Sequence, residues 1–124
     1  MTRRLMAGTG WKMNMTAAGT RAYAAALAPL LAGIDTAAID LYVLPPFTSL
    51  HAAKEAFAGT PVRYGGQNMH WDEEGAWTGE ISAPMLTEAG CTYVELAHSE
   101  RLYHFGETYD LVRRKLNTAM KHGL

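Results

Sequence analysis

The chain has 124 residues, 48% hydrophobic and 19% charged, with a formal net charge of -1 at pH 7. That length supports one ordinary domain with a real core, residues 1–124, and the composition excludes a disordered chain. The near-neutral charge gives no reason to expect nucleic acid or an anionic membrane as partner. The single cysteine, Cys91, excludes an internal disulfide framework and suits a reducing cytosol, so a cytoplasmic protein is expected. No stretch approaches the roughly 20 apolar residues of a membrane span. Arg3-Arg4 ahead of Leu5-Met6-Ala7 does not make a signal peptide, because the apolar run is short and Lys12 interrupts it.

In chain order, Leu5-Met6-Ala7-Gly8 reads as a buried first strand, and Trp11-Lys12-Met13-Asn14 follows as a loop. Thr16 is placed to N-cap a helix reaching to about Leu31, with Tyr23, Leu27, Leu30 and Leu31 on one stripe. Pro29 conflicts with that helix and predicts a kink or early end. Ile39 to Leu44 is a second strand stopped by Pro45-Pro46, and a short helix holding Leu50, Ala53 and Phe57 follows. Val62 to Gly65 is a weaker third strand, and a long polar loop runs from Gln67 to about Glu80. That loop carries His70, Trp71 and Trp77, aromatic surface that seldom lies exposed without a partner.

A brief helix starting near Ser82 and Pro84 leads to a fourth strand, Thr92 to Ala97. Thr108 caps the clearest helix, in which Val112, Leu116, Ala119 and Met120 share a face while Arg113, Arg114 and Lys115 project elsewhere. Strand and helix thus alternate four times at roughly 30-residue intervals, the spacing of βαβ units with parallel strands. One α/β domain is expected.

The residues that invite chemistry lie just past the strands. Val94 to Ala97 ends abruptly in His98-Ser99-Glu100-Arg101, and strand C-termini carry the active sites of α/β proteins. His98 can hold or transfer a proton near neutral pH. If Ser99 opens a helical turn, the free N–H groups there disfavour a charged imidazole and leave a neutral donor. The bland alternative is a histidine satisfied by backbone. Lys12, past the first strand, is either a solvated charge or a fixed cation for an anionic substrate. Glu100, Arg101 and Glu107 read first as a structural ion-pair network, with Glu80 a candidate member. The remaining histidines form no metal-ligand spacing with Cys91 or one another, and neither a dinucleotide fingerprint nor a Walker-type lysine motif is present. No metal and no cofactor are expected.

Trp11-Lys12-Met13-Asn14, Pro45-Pro46-Phe47, Gly66-Gln67-Asn68-Met69, Gly75 to Ser82, and His98 to Arg101 with Phe105-Gly106-Glu107 occur in the order and spacing of the triosephosphate isomerase family, which the whole chain resembles. The resemblance implies a TIM (β/α) barrel, an aldose–ketose isomerase of glycolysis and gluconeogenesis, and an enediolate route between glyceraldehyde 3-phosphate and dihydroxyacetone phosphate. The pairing of a glutamate base with a neutral histidine electrophile is likewise implied by the family. By the same resemblance His98 is the electrophile, Lys12 the substrate-binding cation, and Glu100 their acidic companion. Thr78 is then the tip of a loop that reaches into a second subunit, implying a homodimer, and Glu80, Arg101 and Glu107 are the supporting ion pairs.

Three residues depart from the family pattern. Gly10 stands where asparagine is usual, Ala97 where glycine is usual, and Leu102 where a second arginine is usual. The Gly-Thr-x-Trp-Lys-Met-Asn opening and Gln67-Asn68-Met69-His70-Trp71 look like a branch acting on tetrulose phosphates, such as an erythrulose-phosphate isomerase. A complete barrel needs about 250 residues and eight strands. The 124 residues reach the fourth βα unit, so a half-barrel is expected. It would lack the lid-loop glutamate and the phosphate loops, and so be inactive alone. A non-catalytic half that completes a barrel with another half is the remaining alternative.

Overall fold

The computed structural model describes residues 3–124. Four parallel strands, β1 (Leu5–Gly10), β2 (Ile39–Leu44), β3 (Val62–Gly66) and β4 (Tyr93–Val94), pair in chain order. Helices α1 (Ala17–Leu27), α2 (Leu50–Ala56) and α3 (Ala83–Glu88) make the crossovers, and α4 (Ser99–His104) and α5 (Tyr109–Lys121) follow β4. Neighbouring parallel strands in sequence order, each followed by helix, form a half-barrel.

α1 starts where the Thr16 hydroxyl accepts from Gly19 N and stops at Leu27. Pro29 lacks the N–H that an α-helix needs, so Ala28–Gly33 continues as a 3-10 helix. The tighter winding re-phases the expected stripe. Tyr23, Leu27 and Leu31 still pack on the core, but Leu30 turns out to solvent.

The helical side of the sheet holds two apolar clusters. One gathers Met69, Leu86, Ala83, Cys91 and Ala119, the other Trp11, Val43, Ala53, Phe57 and Val62. Burying a side chain such as Leu86 contributes about 1.5–3 kcal/mol. The same burial pushes the Cys91 thiol up to about 11.

The opposite face is open. β1, expected to be buried, is exposed along its whole length, because among the described residues β2 is its one strand neighbour and nothing covers its inner side. Tyr42 and Tyr93 lie across this face with ring centroids 5.4 Å apart. Their register partners are Gly8 and Gly65, where a Cβ would overlap the tyrosines. Small and large residues therefore alternate around the sheet, as a tapering barrel interior requires.

Two further expectations need correction. β4 pairs over Tyr93–Val94 alone, shorter than Thr92 to Ala97, because the chain turns away at Ala97 with φ 60°. α5 docks through Lys115 and Ala119, leaving Leu116 and Met120 exposed. The orientation follows polar anchors: Lys115 is buried in an ion pair with Glu107, and the Thr118 hydroxyl donates to Trp71 O at 2.6 Å.

Candidate active site

The C-terminal ends of β1, β3 and β4 open into a pocket of about 250 Å³, lined by Lys12, Gln67, Glu95, His98, Glu100 and Phe105 among others. Trp11 anchors its first wall. The indole is buried against Tyr23 at 4.9 Å, and its backbone N donates to Leu44 O at 3.0 Å. Lys12 follows with φ 55°, a left-handed conformation costly for a side-chain-bearing residue. It is held from outside. The Gln67 amide donates to Lys12 O at 2.9 Å and to Leu44 O at 2.8 Å, tying three strand ends together.

On the other wall, Ala97 turns the chain and His98 caps α4. Glu100 N donates to His98 Nδ1 at 3.1 Å. A nitrogen that accepts carries no proton, so the neutral ring holds its hydrogen on Nε2. The Glu100 carboxylate stands between the two functional groups: Oε1 receives the Lys12 ammonium at 2.5 Å, and Oε2 lies 3.8 Å from His98 Nδ1. The hydrogen bond from Lys12 holds the Glu100 carboxyl below the ordinary carboxylate range.

Behind this wall, Arg101 Nε lies 3.5 Å from Glu107 Oε2, with the guanidinium over the Phe105 ring at 4.9 Å. Glu107 Oε1 receives Lys115, which also donates to Asn68 Oδ1 at 2.9 Å. The network therefore has a member the sequence reading set aside, Lys115. Glu80 makes no ion pair among the described residues, although it borders the same cavity. Its carboxylate stays exposed on the long loop, and the two cations near Glu107, half-buried Arg101 and buried Lys115, come from α4 and α5 instead.

Thr78 sits exposed at the tip of that loop, in a turn closed by Glu80 N donating to Trp77 O at 3.0 Å. The loop's aromatic surface is partly self-packed. His70 is buried with its ring centroid 4.0 Å from that of Trp71 and 4.4 Å from that of Trp77, and Arg114 lies over Trp71 at 4.3 Å. No group of three metal-ligating side chains occurs among the described residues, and none of their helices is long and apolar enough to cross a membrane.

The structure thus brings Lys12, His98, Glu100 and Arg101 to one pocket, with Glu107 supporting it and Thr78 outside it. Gln67 and Glu95 were missed. A lone carboxylate inside the apolar run Thr92 to Ala97 was the signal for Glu95, since alternation aims it away from Val94 and Leu96.

A half-barrel of parallel βα units with polar residues gathered past the strand C-termini is the architecture of a TIM (β/α) barrel. A family model, Triosephosphate isomerase, matches residues 5–124, and the chain belongs to the triosephosphate isomerase family. It is 50% identical over 117 residues to the L-erythrulose-1-phosphate isomerase of Brucella abortus biovar 1 (strain 9-941), covering 94% of this chain and 45% of that one. The L-erythrulose-1-phosphate isomerase of Rhizobium rhizogenes (strain K84 / ATCC BAA-868) is 47% identical over 121 residues, covering 98% and 46%. The crystal structure of triosephosphate isomerase from Bartonella henselae superposes with a TM-score of 0.88 at 34% identity, covering 98% of this chain and 49% of that chain. The chain spans about half the length of the curated relatives it matches.

Proposed function

We propose that this segment supplies the electrophile and the cation of a barrel isomerase that moves a carbonyl between adjacent carbons of a sugar phosphate. The observation that carries the reading is the constellation of Lys12, Glu100 and His98 in one pocket, with Nδ1 of the histidine occupied by a backbone N–H. His98 Nε2–H donates to the substrate carbonyl and passes protons between the two oxygens. Lys12 stabilises the phosphate and the enediolate charge, and Glu100 positions the lysine. The base that removes the carbon-bound proton comes from a second barrel half.

Two relatives at about half identity carry the name L-erythrulose-1-phosphate isomerase, and Gly10 keeps a side chain from the volume beside the Glu95 carboxylate, so the substrate we favour is a tetrulose phosphate rather than a triose phosphate. Thr78, at an exposed loop tip, is the residue we assign to contact with a second subunit.

The test fuses the full chain, at Leu124, to the C-terminal half of the Brucella abortus relative. The fusion is expected to isomerise L-erythrulose 1-phosphate, residues 1–124 alone to show no turnover, and His98→Gln in the fusion to lower kcat by about 100-fold or more. Turnover by the isolated chain that is abolished by His98→Gln would overturn the division of labour. A folded fusion inert toward both triose and tetrulose phosphates would overturn the isomerase reading.

A further inference from the structure

We propose that Glu95 is a specificity-determining residue, accepting a hydrogen bond from the terminal hydroxyl of a four-carbon ketose phosphate in space that Gly10 leaves open. The proposal rests on the isomerase reading above. Glu95 lies three residues before His98 and lines the same pocket as Lys12 and His98. Its backbone is fixed just past β4, N donating to Gly66 O at 2.9 Å, and alternation sets its side chain on the face opposite Val94 and Leu96.

The carboxylate is half-buried and has neither a hydrogen bond nor an ion pair among the described residues. The other acids around the site are matched: Glu100 with Lys12, Glu107 with Lys115. An acid left without a donor in a ligand pocket is an acceptor in waiting, since an ionised carboxylate can only accept.

Gly10 explains how that acceptor reaches the substrate. A Cβ at position 10 would lie 3.6 and 3.9 Å from the two Glu95 carboxylate oxygens, already in van der Waals contact. Any longer side chain there would occupy the volume directly over the carboxylate. With glycine, no side chain of residue 10 fills that volume beside the Glu95 oxygens.

The chemistry of the substrate class fits that opening. A 2-ketotetrose 1-phosphate differs from the three-carbon ketose phosphate by one hydroxymethyl group at the end away from the phosphate. It therefore brings one extra donor and needs the volume of one extra carbon. Hydrogen bonds to a charged acceptor are stronger than neutral ones. A triose phosphate would leave the carboxylate unpaired beside an anionic ligand, so the same residue selects against the shorter sugar.

The test uses the full chain fused to the C-terminal half of the Brucella abortus relative. It measures kcat/KM for L-erythrulose 1-phosphate and for dihydroxyacetone phosphate. Glu95→Leu and Gly10→Asn are each expected to lower the tetrulose-to-triose ratio about ten- to hundredfold. Glu95→Gln keeps the shape and one acceptor oxygen, guarding against a folding failure, and is expected to lower the ratio less. An unchanged ratio, with both substrates falling together or neither changing, overturns the proposal. If the unsubstituted fusion turns over neither sugar, the isomerase reading fails, and calorimetric binding of the two sugars decides the inference. Selective loss of L-erythrulose 1-phosphate affinity in Glu95→Leu supports it, and equal affinities overturn it.

Discussion

Ala97 occupies a position that its side chain resists. At φ 60° the Cβ of an L-residue crowds the backbone, which costs roughly 1–2 kcal/mol, while glycine avoids that clash at the cost of a looser unfolded chain. Ala97→Gly is therefore expected to stabilise the fold by about 1 kcal/mol net, read as a higher thermal midpoint. A lower midpoint would mean that the methyl group is better packed than its strain is costly. The sequence made the position of His98 legible, because a polar cluster terminating an apolar run is a local signal. For Glu95 the local signal, a carboxylate inside an apolar run, stopped short of saying what it faces. Its meaning depends on Gly10, brought beside it by pairing through β2 and β3, and no local pattern encodes that neighbour.

At the scale of elements, α5 carries the largest discrepancy and the firmest stability argument. Its apolar periodicity pointed Leu116 and Met120 inward, yet the helix turns Lys115 in and leaves both exposed. Hydrophobic pattern fixes that a helix exists, whereas its rotation here answers to Glu107 and Asn68, which precede it by 8 and 47 residues. Lys115 and Glu107 side chains are 6% and 4% exposed, so removing one charge strands the other. Lys115→Met is expected to cost about 3–5 kcal/mol in urea unfolding, whereas Lys115→Met combined with Glu107→Leu should recover most of the loss. A single substitution costing no more than the double would show that the pair is not coupled. The boundaries of α1 were legible, since Pro29 states its own limit. The short β4 was not, because Ala97 in a left-handed conformation is unexpected for alanine.

At the scale of the molecule, the spacing of several motifs made the parallel half-barrel legible, whereas the exposure of β1 could not be read from its composition. An apolar strand looks buried in sequence whether or not a layer covers it. Here the open face presents β1, Tyr42 and Tyr93 without a covering layer among the described residues. Residues 1–124 alone are expected to bind a fluorescent apolar dye and to lose that binding when fused to a second barrel half, with a rise in thermal midpoint. Equal dye binding by both forms would show that the added half does not dock on this face.

The amide of Gln67 that bridges Lys12 O and Leu44 O has a consequence in time. Lys12 and Gln67 are 55 positions apart, and the lysine's left-handed backbone is unfavourable until that clamp closes. During synthesis the lysine leaves the ribosome long before its clamp does. The cation of the site is thus among the first functional groups made, while its backbone is clamped only once the end of the third strand has docked.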